Sequence, residues 1–90
     1  MAISRPERRA ERKAAVEAIF GNASDTALDL IELVELAWHD CYKEVTPPDK
    51  VVEDILICSR GNLSELIAAA RLAVEDFRDL RLQADDIRNA

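Results

Sequence analysis

The chain has 90 residues, of which 49% are hydrophobic and 33% charged, and its formal net charge at pH 7 is −6. This composition predicts one small folded domain and excludes a disordered, fibrous or disulfide-rich chain, because there are only two glycines, three prolines and two cysteines. No apolar run approaches the roughly 20 residues that span a bilayer, and the N-terminal stretch lacks the apolar core of a secretion signal. We therefore expect a cytoplasmic protein that does not enter membranes.

The charge is divided unevenly along the chain. Residues 1–20 carry five basic and three acidic side chains, whereas residues 21–90 carry seven basic and fifteen acidic ones. The acidic body should repel nucleic acid and favour a basic protein partner, because nucleic-acid binding requires phosphates to be neutralised by lysine and arginine. The alternative is a nucleic-acid patch on the N-terminal arm, weakened by interleaved glutamates and formed by Arg5, Arg8, Arg9, Arg12 and Lys13.

The first predicted helix covers residues 5–20. Ser4 and Glu7 have the spacing of a capping box, and Pro6 suits the first turn of a helix. Arg8 and Arg12 lie on the face that a core would use, so we expect only the last turns of this helix to dock firmly. Residues 1–13 are accordingly predicted to be a basic arm that is solvated or frayed.

The second predicted helix, residues 25–44, is the most informative stretch of the chain. Apolar residues recur at helical spacing along a broad face that predicts contact with a core. A thinner apolar stripe interrupts the polar side and consists of Leu28, Leu33 and Leu36. Grouped leucines of this kind mark an interface, or they are covered by the first helix or by the C-terminal tail.

Two further helices are predicted at residues 48–59 and 63–87. Thr46 is expected to cap the first of these, and Asn62 the second. The last helix carries apolar residues at strict three-four spacing, which predicts one long helix of about 37 Å. Because the third helix is short, we expect the part beyond Leu80 to pack on the central helix, on the arm or on another copy.

One edge of the central helix offers a weak metal-binding arrangement, formed by Glu32, Glu35 and His39. Di-iron helical bundles use Glu-x-x-His, whereas Glu35 and His39 are four residues apart. The favoured interpretation is a solvated polar face on which His39 pairs with Glu35. The alternative is a divalent-metal-dependent helical hydrolase that adds Glu53 or Asp54, but the paired ExxE and ExxD motifs of helical nucleotide pyrophosphohydrolases are not complete here.

The sequence thus predicts an all-α protein: a small four-helix bundle centred on the second and fourth helices, and either closed within one chain or completed by dimerisation. No catalytic residue or cofactor is expected. The predicted function is a small acidic, non-catalytic interaction or regulatory module that forms a homodimer. The residues predicted for its interface are Leu28, Leu33, Leu36, Phe77, Leu80 and Ile87.

Overall fold

The computed structural model describes residues 3–90, and these residues contain helices and no strand. The α-helices are α1 (Arg5–Phe20), α2 (Ser24–Tyr42), α3 (Asp49–Ser59) and α4 (Leu63–Arg88), with a short 3-10 turn at Gly21–Ala23. The prediction of an all-helical chain is confirmed, whereas a bundle completed by a second copy stays a prediction. None of the described helices is both long enough and apolar enough to cross a membrane.

Several helix ends follow the local sequence. The Ser4 side chain accepts from the Glu7 backbone N–H, and the Glu7 carboxylate accepts from the Ser4 N–H, so the predicted capping box is present. Asn62 caps α4 by accepting from the Glu65 N–H at 3.0 Å. The predicted cap of α3 is wrong: Pro48 stands at the N-cap position and no side chain caps the helix, because the Thr46 hydroxyl is bound elsewhere.

The most consequential difference from the predictions is a break in α4. At Asp76 the backbone is extended (φ −160°, ψ 88°), which divides α4 into a first half, residues 63–75, and a second half, residues 77–88. The Asp76 carboxylate accepts from the N–H groups of Arg78 and Asp79 at 3.1 and 3.3 Å. Asp76 therefore caps the second half as a new helix, and the predicted single straight helix is wrong.

The second half folds back against α3 and the first half. Leu80 brings its carbonyl oxygen to 3.9 Å from the Cys58 Sγ of α3. Glu65 and Gln83 line one surface cleft, although a straight helix would hold them about 27 Å apart. The region beyond Leu80 thus packs on α3, contrary to the prediction that it packs on the central helix, on the arm or on another copy.

Tyr42, at the end of α2, compensates for the break. In a continuous helix the Val74 carbonyl would accept from the Arg78 N–H, which is instead bound to Asp76. The Tyr42 hydroxyl donates to that Val74 carbonyl at 3.0 Å. Its ring packs at centroid distances of 4.3 Å from Trp38 and 6.1 Å from Phe77. Aromatic packing and one hydrogen bond therefore join α2 to the turn of α4.

Small residues allow the two halves of α4 to approach α3 and each other closely. Ala73 and Ala84 are fully buried, and Ala69 nearly so. They join a core whose larger members include Val16, Phe20, Leu28, Ile31, Val34, Trp38, Ile55, Leu66 and Leu80.

Replacing Ala84 by leucine should reduce stability, because there is no room for three further carbon atoms. We expect Ala84→Leu to lower the free energy of unfolding by about 1–3 kcal/mol, as overpacked cores do. Ala14→Leu, the same substitution at an exposed position of α1, should change stability little. Urea denaturation followed by circular dichroism measures both, and equal effects of the two substitutions would contradict the fold-back of the second half.

Candidate functional site

A carboxylate is buried between α1 and α2. Glu35 is 1% exposed, and its Oε2 atom accepts from Arg8 Nε at 2.6 Å and from Arg12 Nη1 at 2.8 Å. Its Oε1 atom accepts from Arg8 Nη2 at 3.1 Å. The Thr46 hydroxyl donates to Oε2 at 2.9 Å and accepts from Arg12 Nη2 at 3.0 Å. We call Glu35, Arg8, Arg12 and Thr46 the Glu35 cluster.

The Glu35 cluster forms because α1 lies over the side of α2 that carries Glu35 and Leu28, which are seven residues apart. The solvated position predicted for Glu35 is wrong, and so is its predicted pairing with His39, because α1 supplies the partners of the buried carboxylate. Arg8 is itself buried, so α1 docks along most of its length rather than by its last turns alone. Arg8 and Arg12 were the reason to expect weak docking of α1, but their bonds to Glu35 hold α1 against α2.

The arginines also control the ionisation of Glu35. Burial alone would raise its pKa, because a buried carboxylate loses its hydration. The hydrogen bonds from Arg8, Arg12 and Thr46 outweigh this effect and lower the pKa of Glu35 from 4.5 to about 2. The carboxylate is therefore ionised throughout the neutral range, and the charge is held by fixed donors.

The metal candidates are not brought together. Glu35 is enclosed by its donors, Glu32 pairs with Arg9 at 3.3 Å, and His39 lies exposed on the helix surface. Across residues 3–90 the structure places no group of three or more His, Cys, Asp or Glu side chains where they could hold a metal ion. Every buried side-chain nitrogen and oxygen in that range also has a hydrogen-bond partner. Among these residues, no buried polar atom of the Glu35 cluster is therefore left without a partner.

The predicted basic patch is largely occupied by carboxylates of the same chain. Arg8 and Arg12 hold Glu35, and Arg9 binds Asp29 at 2.8 Å. Lys13 lies 3.8 Å from Glu17 in an exposed pair. Phosphate binding by Arg8 or Arg12 would require these side chains to leave the buried Glu35 carboxylate. Arg5, half-exposed and 3.8 Å from Glu35, is held less closely.

A second buried carboxylate fastens the second half of α4 to α3. Asp54 is 1% exposed and accepts from Arg81 Nε at 2.7 Å and from Arg88 Nη2 at 2.6 Å. Arg88 also donates to Asp85 at 2.8 Å, which fixes its position near the helix end. Asp54 was a candidate for metal-dependent hydrolysis, but its carboxylate is held by two guanidinium groups.

An apolar groove lies open on the surface of the described residues. A groove of about 340 Å³ runs between α2 and the first half of α4. Leu33 and Ile67 stand on its two sides and are 59% and 48% exposed. Of the described residues that line it, only Arg71 and Glu75 are charged. We call this surface the apolar groove, and the other residues that line it are Leu30, Val34, Ala37, Ala70 and Val74.

The structure divides the predicted interface residues into two groups. Leu28 and Leu80 are buried within the chain, so they are not available to a partner, and Ile87 is half-buried against the core. Leu33, Leu36 and Phe77 are exposed. The prediction omitted Ile67, Arg71 and Glu75, which lie beside the three-four apolar series of α4. Ile67 could have indicated the groove in the sequence, because it is a large apolar residue outside that series.

Comparisons with protein-family models, with curated proteins and with solved structures gave no match to this chain.

Replacing Glu35 by glutamine should strongly destabilise the protein. The change leaves Arg8 and Arg12 charged beside a neutral amide, and breaking a buried ion pair in this way costs about 3–5 kcal/mol. Glu32→Gln removes a carboxylate from the same helix whose partner Arg9 is only partly buried, and should cost less than about 1 kcal/mol. Thermal or urea denaturation compares the two variants, and similar losses would argue against a structural role for the Glu35 cluster.

The Glu35 cluster should also make stability depend on pH in the acid range. Because the pKa of Glu35 falls from 4.5 to about 2 on folding, its contribution is complete above the unfolded value and is lost as the pH falls towards 2. The difference between the two pKa values corresponds to about 3 kcal/mol. Urea denaturation at pH values from about 6 to about 2 should show the native chain and Glu35→Gln converging at the acid end; parallel curves would contradict this.

Proposed function

We propose that this protein is a non-catalytic helical interaction module that self-associates as a homodimer through the apolar groove. The observation that carries the proposal is the groove itself: an apolar surface flanked by exposed Leu33 and Ile67, which the described chain leaves uncovered. An exposed apolar groove with charged residues at its edge is a surface that a protein partner can cover. Burial of this surface by a second copy supplies the affinity.

The charges at the groove favour a second copy over an acidic or basic partner. Arg71 and Glu75 form an exposed pair 3.5 Å apart on one face of α4. In a two-fold dimer with the first halves of α4 antiparallel, Arg71 of each copy lies opposite Glu75 of the other. The lining residues also carry no net charge, so two copies meet there without the repulsion that a net charge of −6 produces elsewhere.

Dimerisation leaves the acidic remainder of the surface outside. Asp79 and Asp86 are exposed on the second half of α4, away from the apolar groove. Acidic groups of this kind increase the association rate of a positively charged protein. The partner that we propose for the dimer is therefore a basic protein.

Charges introduced into the groove should dissociate the homodimer without unfolding the chain. We expect the native chain to be dimeric by light scattering behind a sizing column, and Leu33→Glu/Ile67→Glu to be a monomer with unchanged helical circular dichroism. Leu82→Glu is the matched control, because Leu82 is 63% exposed and lies outside the groove. A native chain that is monomeric at all concentrations would overturn self-association, and dissociation by Leu82→Glu would move the interface elsewhere.

A charge exchange tests the orientation of the two copies. Arg71→Glu places like charges opposite each other in the antiparallel dimer and should weaken it, whereas Arg71→Glu/Glu75→Arg restores opposite charges and should recover the native dimer constant. Sedimentation equilibrium measures the three constants. Failure of the double variant to recover the constant would exclude this antiparallel arrangement.

A further inference from the structure

The sequence across the break in α4 remains that of a helix. Ala70, Ala73, Phe77 and Leu80 continue the three-four apolar spacing through Asp76, and neither glycine nor proline occurs anywhere between residues 63 and 88. Local propensity therefore favours a continuous helix at the point where the chain turns back. The turn depends on contacts made by side chains rather than on a loop.

Those contacts lie at the turn and at α3. Asp76 caps the second half, and the Tyr42 hydroxyl binds the carbonyl of Val74 that the break exposes. Further along, Asp54 holds Arg81 and Arg88. The Asp54 contacts join two surfaces and do not require both to belong to one chain.

Opening at Asp76 would restore helical hydrogen bonding at the turn. The N–H groups of Arg78 and Asp79 would pass from the Asp76 carboxylate to the carbonyls of Val74 and Glu75. A continuous α4 of 26 residues would be about 39 Å long, which exceeds the longest dimension of the folded chain, 37 Å. The second half would then project from the body and leave the surface of α3 around Asp54 free.

We propose that residues 77–88 exchange between two copies of this chain, with α4 straightened at Asp76 and Asp54 of each copy bound by Arg81 and Arg88 of the other. The exchanged dimer keeps the contacts of the second half with α3 and replaces the cap by helical hydrogen bonds. Its cost is the translational and rotational entropy that is lost when two chains associate. The equilibrium between the closed and exchanged forms therefore depends on the protein concentration and on the strength of the cap. The exchange does not depend on the apolar groove.

Variants at Asp76 test the exchange when they are made in the Leu33→Glu/Ile67→Glu background, in which the groove cannot dimerise. Asp76→Ala and Asp76→Glu remove the short capping carboxylate and favour a continuous helix, whereas Asp76→Asn retains a capping side chain. We expect Asp76→Ala and Asp76→Glu to raise the dimeric fraction several-fold over that of the background. Asp76→Asn should have the same dimeric fraction as the background. Asp79→Ala removes a neighbouring exposed charge and should have no effect.

A distance within one chain distinguishes exchange from other dimers. Spin labels at Glu65→Cys and Asp86→Cys, in a Cys41→Ser chain diluted with unlabelled protein, report the separation of two residues that line one cleft in the closed form. In the dimer fraction this distance should lengthen to about 31 Å, the length of 21 helical residues. A short distance in every dimer would overturn the exchange. Loss of helical structure in both Asp76→Ala and Asp76→Glu would also overturn it, because residues 77–88 are helical in both the closed and the exchanged form. Neither result affects the groove proposal, which the Leu33→Glu/Ile67→Glu chain tests separately.

Discussion

The burial of Glu35 is the constraint on which the arrangement of α1 and α2 depends. A carboxylate that is 1% exposed must find strong donors, because removing an ion from water without them costs several kcal/mol. Arg8 and Arg12 supply those donors from α1, and Thr46 supplies one from the segment before α3. One side chain therefore fixes the position of the first helix and the path of the chain that leaves the second.

Asp54 plays the same part for the other half of the molecule. It is equally buried and binds Arg81 and Arg88, which fastens the second half of α4 to α3. The protein can thus be described as two ion-paired units, α1 with α2 and α3 with α4. They meet along α2 and the first half of α4, where Tyr42 and apolar side chains make the contact.

Both proposals concern this meeting line. The apolar groove runs along it, and Glu75 at the end of the groove precedes the turning residue Asp76. The ion pairs direct arginines and carboxylates towards each other inside the chain, so the surface left for association is apolar and locally neutral. A groove dimer uses that surface as it stands, whereas exchange reuses the contacts that close the fold.

Much of the local structure could be predicted from the sequence. Helical periodicity, the capping box of Ser4 with Glu7 and the Asn62 cap are set by residues within four positions of each other, and the structure contains all three. The sequence indicated that Leu33 on α2 is exposed, but no sequence pattern placed Ile67 of α4 on the other side of the apolar groove. That pairing depends on how α2 and α4 pack, which no local pattern records.

What only the tertiary structure decided was where the polar side chains of α2 and α4 point and where α4 turns. Glu35 and Asp54 resemble solvated carboxylates in sequence, because their arginine partners are 23 to 34 residues away. Asp76 lies in an unbroken helical pattern, and the chain turns there because Asp54, Tyr42 and the cap together outweigh helix continuity. The sequence by itself determined an all-helical chain and most of its helix ends, since those depend on neighbouring residues. Long-range ion pairing determined which faces were covered and therefore which surface remained exposed.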